Sequence, residues 1–279
     1  MLKFAEVPNI HIHGTLTTVR PNPTNPKQPE SVTMEAPGYE TRIMLLLSRL
    51  RWTWVGWSLL AAIYRLGKFT MRIQPWTNLP VTDSKGVAPV PKNINATAGP
   101  THFQSATPKG KPGLYCGSDP SQGIVAGAPV PGVTGTGSGS DTVVAFSPEM
   151  WTVDEGKHPL GVGPGITAKE ILFHEMVHGY RQMSGKMQCT ATPDQPGYDT
   201  AEEFMAILVS NMLRSELGLK GLRKDHWGFQ AMAPGDEDPA KFAAIGNNKA
   251  RIKQFCSEHP DLAANLKKAK IKFNPLLAA

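Results

Sequence analysis

The chain has 279 residues, 40% of them hydrophobic, with 29 Lys and Arg against 23 Asp and Glu. This length allows one large domain or two small ones, and the apolar fraction excludes a mostly disordered chain. The net charge of +6 is scattered; its one dense patch, Lys267-Lys268-Ala269-Lys270-Ile271-Lys272, reads as a solvated helix face, so no nucleic-acid partner is expected.

Residues 1–38 are rich in Pro, Thr and Asn and show little apolar periodicity, which predicts an extended N-terminal arm. Its first residues, Met1 to Pro8, lack the apolar core of a signal peptide, so export would need a route that reads no cleavable signal. His11 and His13 share a face if this stretch is a strand; an incidental pair is the favoured reading. Residues 39–66 carry two helical stripes: Ile43, Leu46, Leu47 and Leu50, then Val55, Leu59, Leu60, Ile63 and Leu66, with Gly67 at the C-cap. Trp52, Trp54 and Trp57 sit at the junction and are expected to pack inward. The apolar run from Trp54 to Leu66 is short and contains Arg65, so no membrane span is predicted. Phe69 to Ile73 alternates as a strand, stopped by Pro75.

Residues 77–140 are dominated by Pro, Gly, Ser and Thr and are expected to be loop. The run Gly135-Thr136-Gly137-Ser138-Gly139-Ser140 lacks the Lys of a phosphate-binding loop. A short strand, Thr142 to Phe146, follows. Residues 167–184 then read as a helix, with Thr167 and Glu170 spaced as a capping box. A second helix is predicted from Thr200 to Leu217, with the stripe Phe204, Ile207, Leu208, Asn211 and Met212 and a closing Gly218. The tail from Pro239 to Lys272 reads as two helices broken near His259-Pro260. The division expected is therefore an arm at 1–38, a catalytic domain at 39–230 and a helical tail at 231–279. Cys116, Cys189 and Cys256 fit no zinc-ribbon pattern. Two readings stay open: one bridge, such as Cys116 to Cys189, or three free thiols. Cys189 has no local setting for a catalytic thiolate.

The chemistry is concentrated in His174-Glu175-Met176-Val177-His178. On a helix, residues four apart stack one turn above each other, so both imidazoles can face one zinc ion. Glu175 is rotated by about 100° from His174, which sets its carboxylate beside the metal as a general base for a zinc-bound water. The flanks Ile171-Leu172-Phe173 and Gly179-Tyr180 are apolar, and burying the polar groups between them without partners would be costly. A catalytic zinc takes a third protein ligand. The helix beginning Asp199-Thr200-Ala201-Glu202-Glu203 offers two glutamates, and helical phasing favours Glu203 over Glu202; His226, Asp194 and Asp199 are the other candidates. Tyr198, Tyr180 and His226 are candidate oxyanion donors, with Tyr198 favoured as a catalytic residue.

These residues carry a resemblance. Ile171 to Tyr180 resembles the zincin signature, and Glu203-Phe204-Met205-Ala206 resembles the E-F-x-A third-ligand segment of gluzincin peptidases. Gly56 to Trp76, Gly139 to Pro148 and Asn211 to Gly218 look like segments of bacterial secreted effector zinc metalloproteases of the M91 kind. The resemblance covers about residues 40–228. It implies an α+β zincin-like fold, with a small twisted sheet, an active-site helix and a second helix bearing the glutamate. It implies that Thr142–Phe146 borders the cleft and can pair with an extended protein or peptide substrate. It also implies a secreted effector or toxin, cytoplasmic in its producer before export, with an immunity protein as a further partner. The competing readings are a cell-wall-directed zinc amidase or peptidase, a housekeeping intracellular peptidase, and a non-enzymatic module in which Glu175 is idle.

Overall fold

The structure is a computed structural model describing residues 1–20, 30–76, 96–100, 139–151 and 163–279. Alternating burial sets the main sheet. In β5 (Met71–Gln74) and β7 (Thr142–Ala145) every second residue is buried, which turns Met71, Ile73, Thr142 and Val144 to one face. With β1 (Leu2–Phe4), β2 (Val7–Ile12) and β6 (Thr97–Pro100), these strands form a five-stranded mixed sheet in the order β1-β2-β5-β7-β6. β2, β5 and β7 run parallel; β1 and β6 pair antiparallel at the two edges. A separate antiparallel ribbon joins β3 (Thr15–Arg20) and β4 (Glu30–Glu35).

The seven described α-helices complete an α+β architecture. α1 (Tyr39–Arg51) and α2 (Trp54–Arg65) bury the two stripes read from the sequence, Ile43, Leu46, Leu47 and Leu50, then Val55, Leu59, Leu60 and Ile63. α3 (Ala168–Met183) lies against β5, β6 and β7, and α4 (Ala201–Glu216) packs behind it. α5 (Pro239–Ala244), α6 (Asn248–Glu258) and α7 (Pro260–Lys267) close the far side; α6 packs on α4 and α7 on α2. The break at His259-Pro260 falls where predicted, with a further short helix ahead of it. No described helix is long and apolar enough to cross a membrane.

Two glycines let α3 sit close to the sheet. A Cβ on Gly179 would come within 2.7 Å of Met71 Cε, and one on Gly139, at φ +70°, within 1.8 Å of the Met183 carbonyl oxygen. The far end of α4 is held as firmly. Glu216 accepts from the free N–H groups of Trp54 and Val55 at the start of α2, and Ser215 Oγ accepts from Phe273 N–H at 2.9 Å.

Several expectations are corrected. The residues read as an arm supply β1 and β2, and Phe4, Val7, Ile10 and Ile12 enter the same core as Phe255 and Leu276. Their alternation was hidden by Pro8 and Asn9, and Asn9 repays its burial by donating to the Ile63 and Phe69 carbonyls. Trp52, Trp54 and Trp57 are exposed by 83%, 46% and 42%, because they project from the side of the α1–α2 junction away from Val55 and Leu59. Within the stretch expected to be loop, Thr97–Pro100 forms β6; its small residues carry no alternation to read. β7 is consequently paired on both sides and offers no free edge. Residues 135–138 of the Gly-rich run lie outside the described residues. Cys189 is buried and disulfide-bonded, its partner lying outside the described residues, and Cys256 is a free thiol.

Candidate metal centre

α3 starts as the sequence indicates: Thr167 Oγ1 accepts from Glu170 N–H, and the Glu170 side chain returns to the Thr167 backbone. Glu170 is also paired with Arg214 of α4 at 2.8 Å, both side chains almost wholly buried, which locks the two helices together. One and two turns on, His174, Glu175 and His178 are all buried. α4 begins at its N-cap Thr200, whose hydroxyl accepts from Glu203 N–H. This brings both glutamates up to the histidines.

The donor atoms converge. His174 Nε2 and His178 Nε2 are 3.1 Å apart, and Glu203 Oε2 stands 3.3 Å from the first and 3.4 Å from the second. Tetrahedral ligands about 2.0–2.1 Å from a zinc ion lie about 3.3–3.4 Å from one another, so this triangle has the dimensions of one face of such a site. His174, His178 and Glu203 form the one group of mutually close metal-ligating atoms among the described residues. Glu203 Oε2 is buried with no hydrogen-bond partner. A buried carboxylate oxygen surrounded by imidazole nitrogens yet hydrogen-bonded to none is what a cation would relieve.

The electrostatics point the same way. Burial pushes the His174 imidazole down to about 3. Burial also opposes protonation of His178, but the carboxylates of Glu203 and Glu202 outweigh it and raise its pKa well above the ordinary value. Burial would raise Glu203, yet His226 and His178 hold it well below the carboxylate range. Two adjacent carboxylates thus draw positive charge into a dry site. Glu175 lies outside the donor triangle, and burial pushes its carboxyl up to about 7.

Each candidate from the sequence has a definite position. Glu202 does not face the donor triangle: it bonds His178 Nδ1 at 3.1 Å and Arg181 Nε at 2.8 Å. Asp194 is bonded to Arg251 and Asn247 N–H instead. Asp199 Oδ2 lies 2.8 Å from His226 Nδ1, and His226 Nε2 reaches within 3.4 Å of Glu203 Oε2 without joining the ligand group. Asp199 has φ 59°, and Thr200 N–H donates to the Tyr198 carbonyl across it at 2.6 Å, a strained three-residue turn. That turn aims the Asp199 carboxylate at His226. Tyr198 stands edge-on to Phe204 and lines a separate cavity of about 410 Å³ with Gln195, Asp225 and Phe242. Tyr180 lies against His259 with the rings tilted, away from the donor triangle.

The His226 loop is held by residues that sequence reading missed. Asn211 and the Arg223 backbone exchange two hydrogen bonds, and the Arg223 guanidinium donates to the carbonyls of Asp225 and His226. Asn211 was visible as a polar residue inside an apolar stripe, but nothing in the sequence names its partner. Trp227, next to His226 and 64% exposed, adds an indole at the rim.

Comparison with curated proteins and with solved structures gives no match. The family Peptidase M91, described as effector protein, matches residues 95–253, more than half of the chain and all of the donor triangle. The chain therefore belongs to the Peptidase M91 family of effector proteins.

Proposed function

We propose that the chain is a zinc metallopeptidase in which His174, His178 and Glu203 hold the metal and Glu175 is the general base. The observation that carries this reading is the convergence of His174 Nε2, His178 Nε2 and Glu203 Oε2 at separations of 3.1–3.4 Å beside a buried glutamate. Zinc held there would polarise the scissile carbonyl and bring the pKa of a water toward about 7. Glu175 takes the proton released as water attacks and delivers it to the leaving amine. Its burial suits it to carry that proton. His226, whose Nδ1 lies 2.8 Å from Asp199 Oδ2, serves through Nε2 to meet the carbonyl oxygen as that oxygen gains charge. His226 takes this role in place of Tyr198, whose surroundings are those of a different cavity.

The packing of α3 on a small sheet, with α4 behind it, supports a zincin-like fold. An extended peptide would add to β6, whose outer side is unpaired among the described residues, rather than to β7. The effector family supports action outside the producing cell on protein substrates. The test is metal analysis of the purified chain with parallel assays on protein substrates and on peptidoglycan. One zinc per chain is expected in both the wild type and Glu175→Gln, with proteolysis in the wild type alone. Absence of zinc, or proteolysis undiminished in Glu175→Gln, overturns the reading; hydrolysis of peptidoglycan alone moves it to a cell-wall enzyme.

A further inference from the structure

Arg181 is completely buried, three residues beyond His178 on α3. A guanidinium in such a place needs all its nitrogens occupied. Here they are. Nε donates to Glu202 Oε2 at 2.8 Å, Nη1 contacts Glu258 Oε2 at 3.0 Å and His259 Nε2 at 2.9 Å, and Nη2 donates to the Lys186 carbonyl at 2.5 Å. Glu202 then uses its other oxygen on His178 Nδ1 at 3.1 Å, and Gln188 N–H adds a second bond to Oε2. An unbroken chain of contacts therefore runs from His178 through Glu202 and Arg181 to Glu258 and His259, buried except at Glu258.

The far end is built for this. His259 is the residue between α6 and α7, and Pro260 begins α7. The break turns the His259 ring inward, where it packs on Phe255 and Tyr180 and is 3% exposed. Burial and the neighbouring Arg181 keep it unprotonated, so its Nε2 can accept from Nη1. Both Glu258 and His259 lie beyond residue 253, where the family match ends.

We propose that Arg181, Glu258 and His259 are positioning residues for the metal centre: they fix Glu202, which fixes the tautomer and orientation of His178, so the α6–α7 corner is part of the ligand support. This rests on the zinc reading above. A ligating imidazole depends on the group that holds its other nitrogen, and loss of that group weakens metal binding about 10–100-fold. An ion cluster that served only packing would have no reason to end on the second nitrogen of His178. Lysine at position 181 could not replace the arrangement, because one ammonium cannot span Glu202, Glu258, His259 and the Lys186 carbonyl in a fixed plane.

The test is zinc affinity by chelator competition on the full chain, with the melting temperature of each variant in EDTA as the folding control. Arg181→Lys and Glu202→Gln are expected to bind zinc about 10–100-fold more weakly than the wild type. Glu258→Gln, at the partly exposed end of the chain, is the variant that should fold regardless. It is expected to weaken zinc binding several-fold, and to add nothing in a Glu202→Gln background, where the link to His178 is already cut. If Glu258→Gln and folded Arg181→Lys bind zinc within about twofold of wild type, the network is structural only and the proposal fails, while the zinc reading stands. A wild-type chain that binds no zinc overturns both.

Discussion

Asn211 gives the sharpest test of how the His226 loop is held. It is 1% exposed on α4, and its amide exchanges bonds of 2.7 and 2.9 Å with the carbonyl and N–H of Arg223, itself 4% exposed. Asn211→Leu keeps the bulk and removes both bonds. Two buried backbone groups then lose their partners, at about 1–3 kcal/mol each, or about 2–6 kcal/mol together. Domains are stable by about 5–15 kcal/mol, so the variant should still fold. Each kcal/mol moves the melting temperature of a chain near this size by about 2–4 °C, which predicts a fall of at least about 4 °C and at most about 24 °C. Circular dichroism melts in EDTA measure this without any contribution from metal. Ser210→Ala, the neighbouring substitution, is the control: Ser210 Oγ is buried with no partner, so its removal should leave the melt unchanged or raise it. The slackened loop should also lower kcat, because it carries His226. An Asn211→Leu chain melting within about 2 °C of wild type would refute the argument that this pair anchors the loop.

His226→Ala is expected to reduce kcat by about 10²–10³ while leaving zinc content unchanged, which steady-state kinetics and metal analysis together check; loss of zinc would make His226 a ligand. Trp227→Ala should raise KM more than it lowers kcat, since the exposed indole can only meet substrate outside the donor triangle. Trp52→Ala should shift stability by no more than about 0.5 kcal/mol in urea melts, because the ring is 83% exposed. Reducing the Cys189 disulfide should lower stability by about 2–4 kcal/mol without abolishing turnover, readable from melts and assays with and without reductant.

What could be read from the sequence was what is local along it. The capping box at Thr167, the two histidines one turn apart and the apolar stripes of α1, α2 and α4 are each written within a few residues, and each appears in the structure. The choice between Glu202 and Glu203 was half legible. Phasing turned one glutamate toward the donor triangle, but Glu202 also reaches a histidine, and the different partners of the two are set by Arg181 and His178 across the α3–α4 contact. The Asp199–His226 pair and the Asn211–Arg223 pair join residues brought together only by folding. The strands failed for another reason. β6 is Thr97-Ala98-Gly99-Pro100, and β2 contains Pro and Asn, so neither shows the alternation that a strand signal needs. Their pairing comes from neighbours in the sheet. The exposed tryptophans show the converse: a large apolar residue does not by itself indicate the core.

α4 is fixed at both ends. Its first turn is tied by the Thr200 cap and by Glu202, and its last by Glu216 and Ser215 to α2 and to the segment around Phe273. Over 16 residues it is a beam about 24 Å long. Glu203 is carried on that beam, and both histidines on a second helix bolted to it by Glu170 and Arg214. The helices that carry the three donor residues are therefore tied to each other by side chains outside the donor triangle. On the zinc reading proposed above, added zinc should raise the melting temperature as the logarithm of its free concentration.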